Sequence, residues 1–163
     1  MNLFVCEGNY LKSQNTEKFQ KKIFNDFIKY KNFETLNHNE IEMKRLFNNK
    51  NTILISIVKE NYVIGYLMGE FLNLGEISLL DERSVFYITY IFIEKNYRDK
   101  KYGQKLINKL YSFIKTKNYI IDGYMLRFNY DDEKLKYFYE KNNFFKDLIL
   151  STNTEFDVFF KKI

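Results

Sequence analysis

A hydrophobic run, Ile91-Phe92-Ile93, leads through Glu94-Lys95-Asn96-Tyr97 into Arg98-Asp99-Lys100-Lys101-Tyr102-Gly103-Gln104, where an amphipathic helical pattern begins. Those residue types in that order suit a diphosphate. The first turn of a helix leaves backbone N–H groups without intrahelical acceptors, and the aligned peptide dipoles add partial positive charge there. Arg98, Lys100, Lys101 and Lys105 add full charges, and Gly103, lacking a Cβ, lets a ligand oxygen come close to the backbone. A surface helix with no anion to hold favours Asp or Glu in that turn, so the basic residues speak against one.

Elsewhere reactive side chains are sparse. The single cysteine, Cys6, excludes an intrachain disulfide and fits a reducing compartment. The single histidine, His38, lies in an Asn-rich loop; one Cys and one His cannot build a structural zinc site, and no metal is expected. Glu70, Asp81, Glu82 and Glu94 fall near the ends of central strands, where a carboxylate can act as a base but is more often a solvated surface group. The net charge of +5 favours an anionic partner, and the 21 acidic residues are interspersed among the 26 basic ones rather than segregated from them. Pro, Trp and Ala are missing while Lys, Asn, Ile, Tyr and Phe abound, a bias read as that of an AT-rich genome, so aromatic abundance alone carries little functional weight. No segment reaches the ~18 consecutive apolar residues of a membrane helix, and residues 3–6 are too short for a secretory leader. A soluble, cytoplasmic protein with no membrane partner is the expectation.

The elements that position the basic turn follow from period and punctuation. The helical pattern from 102 to about 117 puts Tyr102, Leu106, Leu110, Phe113 and Ile114 on one face. A strand at 85–93 precedes it and another at 119–128 follows, an order that implies a parallel crossover. Upstream, residues 52–59 and 62–73 read as strands joined by a tight turn at Glu60-Asn61. A strand at 2–6, a helix at 16–30 capped by Thr16 with Phe19, Ile23, Phe27 and Tyr30 on one face, and a helix after Asn39 with Ile41, Leu46 and Phe47 come first. Asp131 or Asp132 caps a helix running to about Asn142, and strands at 144–150 and 155–162 finish the chain. Phosphate sites in such mixed sheets lie beyond the carboxyl ends of the parallel strands, which is the position of 98–104.

With these motifs in place, the chain resembles the GNAT superfamily of N-acetyltransferases over about 52–145. Residues 98–103 are similar to its acyl-CoA signature: Arg or Gln, two residues, Gly, one residue, then Gly or Ala. Lys101 replaces the first glycine and still offers its own N–H. Asn61-Tyr62-Val63-Ile64-Gly65-Tyr66 is similar to the family's hairpin, and Tyr137-Phe138-Tyr139-Glu140-Lys141-Asn142-Asn143-Phe144 to its C-terminal motif. Asn143 stands where glycine is usual, and Asn is the next most tolerant residue at a left-handed helix cap. Asp132 stands where the family often has Asn, and Leu135 where it often has Ala.

The resemblance implies an α/β (α+β) fold, a mixed, mostly antiparallel sheet of about seven strands with about four helices. It implies a single acetyltransferase-like domain over 1–163, with 1–50 as the variable acceptor side and 52–145 as the acyl-CoA-binding core. It further implies acetyl-CoA as co-substrate and direct transfer of the acetyl group to a primary amine of a protein, peptide or small molecule. The backbone of Ile91, Phe92 and Ile93 would host the acyl carbonyl and pantetheine arm, and Arg98, Asp99, Lys100, Lys101, Tyr102, Gly103 and Gln104 the diphosphate. Asp132 and Tyr139 also fall among the cofactor-side positions, and Tyr139 matches the family's general-acid tyrosine. Glu82 or Glu70 is the carboxylate chosen as base, with a chain of waters able to replace either. The acceptor is not readable, and a monomer or a homodimer fits. A catalytically silent acyl-CoA-binding or sensor module is the alternative, and a nucleic-acid binder ranks below it.

Overall fold

A computed structural model describes residues 1–8, 21, 25, 40–60, 62–76, 81–129, 132–148, 150–151 and 156–163. Lys21 and Asn25 are helical; the rest of the helix expected at 16–30, His38, and the caps expected at Thr16, Asn39 and Asp131 lie outside the described residues. In chain order the elements are β1 (Asn2–Glu7), α1 (Glu40–Asn48), β2 (Thr52–Lys59), β3 (Tyr62–Asn73), β4 (Ser84–Ile93), α2 (Tyr102–Thr116), β5 (Gly123–Asn129), α3 (Glu133–Lys141), β6 (Phe145–Lys146) and β7 (Phe156–Lys162). Short 3-10 helices follow β3 at Leu74–Glu76 and β4 at Lys95–Tyr97. The seven strands form one mixed sheet in the order β1-β2-β3-β4-β5-β7-β6. Pairing is antiparallel for β1–β2, β2–β3, β5–β7 and β6–β7, and parallel for β4–β5. This is the mixed, mostly antiparallel α/β (α+β) architecture expected from the sequence, with three helices bounded among the described residues besides the helical Lys21 and Asn25.

The chain forms two compact units, Met1–Glu70 with Tyr90–Tyr119, and Phe71–Thr89 with Ile120–Ile163. In the first, β2 is buried on both faces along Thr52 to Val58, as its nearly unbroken apolar run requires. Leu46 of α1 packs with Leu54, Val58, Val63, Tyr66 and Met68. Strand alternation turns Ile53, Ile55 and Ile57 to the opposite face, and α2 packs on β2 through its buried stripe of Leu106, Ile107, Leu110 and Ile114. Ile107 was absent from the expected stripe, whereas Tyr102 and Phe113 are only partly buried. Ile41 is a further departure: it is exposed, because five residues at 100° each carry it well off the Leu46 face.

In the second unit Leu74, Val85, Met125 and Val158 form one cluster. Phe128 meets Phe159 and Tyr139 edge-on or tilted at ring-centroid distances of 4.9 Å and 5.2 Å. Two expected strands are shorter than their apolar runs. The run at 119–128 yields a strand only from Gly123: Asn118, at φ 54°, ends α2 left-handed, and Tyr119 N–H returns to the Ile114 carbonyl. The strand expected at 144–150 ends at Lys146, because the Asp147 carboxylate accepts from Leu150 N–H and pairs with Arg83.

Candidate active site

The end of β4 and the turn after it are built within the first unit. Val63 pairs with Val58 and Gly65 with Ile57, so Ile64 is the extra residue of a β-bulge. Its carbonyl accepts from Glu94 N–H at 2.9 Å, fixing the chain where β4 ends. Gly65 admits that approach: a Cβ there would meet Ile93 Cδ1 at 2.6 Å and the Phe92 carbonyl oxygen at 2.9 Å. Tyr97 N–H then donates to the Glu94 carbonyl at 2.8 Å, and Arg98 Nε to the Ile93 carbonyl at 3.0 Å. Arg98 therefore ties the turn to the strand that feeds it.

Asp99 and Lys101, on either side of Lys100, both have φ of 60°, the left-handed region that favours glycine. Lys101 is the N-cap of α2 and no side chain caps the helix. Its first turn holds no acidic residue. The contrast with α3 is within the same chain: there Asp132 is the N-cap, its Oδ1 accepts from Leu135 N–H at 3.0 Å, and Glu133 occupies the first turn. Helix ends are thus capped conventionally in one place and left basic and uncapped in the other, which is what an anion ligand requires.

Glu70 lies within β3, in this same unit, and is 3% exposed. Arg45 of α1 forks onto its carboxylate, Nη1 to Oε2 at 2.9 Å and Nη2 to Oε1, and Asn49 Nδ2 reaches Oε2 at 2.6 Å. Both carboxylate oxygens are engaged. Glu94 accepts from the Tyr62 hydroxyl at 3.0 Å. Neither Arg45 nor Asn49 was singled out from the sequence; an acid within an apolar strand is the signal that would have pointed to such partners.

The remaining candidates belong to the second unit. Tyr139 is buried against Phe128, Phe138 and Phe144. Burial, with the Asp132 charge adding to it, holds its phenol well above the usual tyrosine range. Asn143 has φ of 62° and donates to the Glu140 carbonyl, while Phe144 N–H reaches back to Tyr139, so Asn fills the glycine position of a Schellman cap. Glu82 is exposed just before β4, next to Asp81 and Arg83. The parallel register of β4 with β5 runs from Val85↔Gly123 to Ile88↔Leu126, so Ile91, Phe92 and Ile93 lie past its end.

Residues 16–144 match the model of the Acetyltransferase (GNAT) family. The chain belongs to the GNAT family. No curated protein sequence matches it. The GNAT fold recurs in solved structures of low sequence identity. NAA60 of Arabidopsis thaliana, in complex with acetyl-CoA, superposes with a TM-score of 0.71 at 15% identity, over 99% of this chain and 100% of that one. GCN5 of Tetrahymena gives 0.71 at 14%, over 100% and 96%. The PaiA N-acetyltransferase of Thermoplasma acidophilum, in complex with coenzyme A, gives 0.65 at 12%, over all of both chains. Against the GNAT signature, Lys101 occupies the glycine position in a glycine-like conformation.

Proposed function

We propose that this GNAT chain moves an acetyl group from acetyl-CoA to a primary amine of a protein, peptide or small molecule. The observation that carries the reading is the first turn of α2: basic, uncapped, and entered through two left-handed residues. Acetyl-CoA would supply an acyl group activated as a thioester. Backbone N–H groups of Lys101, Tyr102, Gly103 and Gln104 would hold its diphosphate, and the backbone of Ile91, Phe92 and Ile93 its pantetheine arm. Tyr139 is assigned to the leaving sulfur on its match to the family motif. Its raised pKa keeps the phenol neutral, so it serves as a hydrogen-bond donor rather than as a full proton donor.

An amine acceptor with a pKa of ~10.4 must shed a proton before it attacks. Glu70 has both oxygens committed to Arg45 and Asn49. Glu82 precedes β4, and six residues at about 3.3 Å each place it roughly 20 Å along the chain from Ile88, where the parallel pairing ends. We therefore assign proton removal to water rather than to either carboxylate. The test is thiol release from acetyl-CoA across a panel of peptide, aminosugar and polyamine acceptors. Turnover with at least one amine is expected, and Glu82→Gln should retain it. Tight acetyl-CoA binding without thiol release for any amine would leave an acyl-CoA-binding module instead.

A further inference from the structure

The two faces of the sheet present different side chains at the end of β4. Alternation along the strand sends Ile91 and Ile93 to one face and Tyr90 and Phe92 to the other. Tyr90 and Phe92 pack against the cluster built on Leu46 of α1, the face of the sheet opposite α2. The Phe92 ring stacks on Tyr66 with centroids 5.3 Å apart; Tyr66 is buried, whereas Tyr90 and Phe92 are each partly exposed. Among the described residues that β2, β3 and the end of β4 project on this face, Glu70 alone is acidic, and Arg45 and Asn49 take both of its carboxylate oxygens. An amine crossing these side chains meets aromatic and aliphatic surface and a carboxylate that is already committed.

We propose that the acceptor is the α-amine of a peptide or protein whose first side chain is apolar, seated on the Tyr90 and Phe92 face. The inference rests on the acetyl-transfer reading above and names the acceptor within it. Acetyl-CoA held at the first turn of α2 comes from α2's side of β4, which leaves the opposite face to the amine. With proton removal assigned to water, the acceptor's own pKa decides how much of it can react. At pH 7 an α-amine of pKa ~7.7–8.0 is roughly 10% neutral, and an alkylamine of pKa ~10.4 less than about 0.1%. That difference, on the order of a few hundredfold in the reactive form, favours the α-amine over a lysine side chain. A polyamine or an aminoglycoside would bring further ammonium groups onto a face whose acid is already paired, each at a desolvation cost. An apolar first side chain instead exchanges water for contact with the rings.

Thiol release from acetyl-CoA by the full chain, with mass spectrometry of the products, tests this on short peptides that carry a free N-terminus and one internal lysine. At pH 7 the α-amine should be acetylated about tenfold or more faster than the ε-amine of the same peptide, and the gap should narrow as pH rises toward about 10. Peptides beginning with methionine, leucine or phenylalanine should exceed those beginning with aspartate or lysine by about tenfold or more in kcat/KM, and should exceed spermidine and phenethylamine as well. Tyr90→Ala should lower the ratio of kcat/KM between phenylalanine-first and glycine-first peptides severalfold, a ratio that loss of folded enzyme does not move. Preference for the ε-amine, spermidine or phenethylamine, indifference to the first residue, or an unchanged ratio in Tyr90→Ala would overturn the inference and leave acetyl transfer standing. Acetyl-CoA binding without thiol release for any of these amines would overturn acetyl transfer and the inference together.

Discussion

Lys101 holds a backbone conformation that an L-residue disfavours by roughly 1–2 kcal/mol, in the position where the family signature has glycine. Lys101→Gly should therefore raise stability, by about 0.5–1 kcal/mol once the greater freedom of an unfolded glycine is subtracted, as read by denaturant unfolding. Gly103 has the opposite sensitivity. On the proposed placement, Gly103→Val would put a branched side chain where the diphosphate approaches the backbone, so it should weaken acetyl-CoA binding more than Lys101→Ala, which removes only an exposed charge. Equal affinities for Gly103→Val and the unmodified chain would show that the cradle lies elsewhere. At Tyr139 the phenylalanine variant keeps the ring and its packing while removing the donor. Turnover should fall by up to roughly 10²-fold with little change in acetyl-CoA affinity, because the hydrogen bond strengthens only as the sulfur gains charge. The sign of the Tyr139 shift adds a condition on pH. A phenol whose pKa is raised stays protonated through about pH 10, so rate profiles of the unmodified enzyme should show no alkaline loss from its ionisation.

Among the elements, β3 and the end of β4 depend on one glycine. Gly65→Ala would drive a methyl group into the Phe92 carbonyl and the Ile93 side chain, and should destabilise by about 1–3 kcal/mol while displacing the strand end that feeds the turn. Acetyl-CoA affinity should fall with it; a Gly65→Ala variant of unaltered stability and affinity would remove Gly65 from the design. The same elements show where sequence reasoning reaches. β2 and β3 were legible to the residue, because an apolar run is bounded by polar turn residues and the period does not change within it. α2 was legible to within a residue from its 3.6-residue stripe. Ile120-Ile121 and Leu148-Ile149-Leu150 look like strand, yet the chain turns at Asn118 and Asp147. Those turns depend on a left-handed Asn and on a carboxylate that caps locally, neither of which hydrophobic period can show. The basic, uncapped start of α2 was legible from charge and glycine placement. The Arg45–Glu70–Asn49 cluster was not, since its members are 21 and 25 residues apart and only tertiary structure unites them.

For the molecule as a whole, acid should be the weak side of its stability curve. Asp81 is buried, and the hydrogen bond from Arg83 holds its carboxyl below the usual carboxylate range against an opposing penalty from burial. A depressed folded-state pKa contributes stability that is complete above the unfolded value of ~3.9 and is lost as pH falls through the lower folded value. Melting temperature should thus be insensitive to this group above about pH 5 and decline below about pH 4. Arg83 also pairs with Asp147 at 2.8 Å and lies over Phe160, so Arg83→Met should destabilise by about 3–5 kcal/mol through the two buried carboxylates it leaves without their shared cation. Ligand binding acts in the other direction: acetyl-CoA at about a hundred times its dissociation constant should raise the melting temperature by roughly 5–10 °C. The central claim, that the diphosphate of acetyl-CoA sits on the first turn of α2, is tested most directly by following backbone amide resonances during a CoA titration. The amides of Lys101, Tyr102, Gly103 and Gln104 should show the largest shifts and saturate together; binding that leaves those four amides unmoved would contradict the claim.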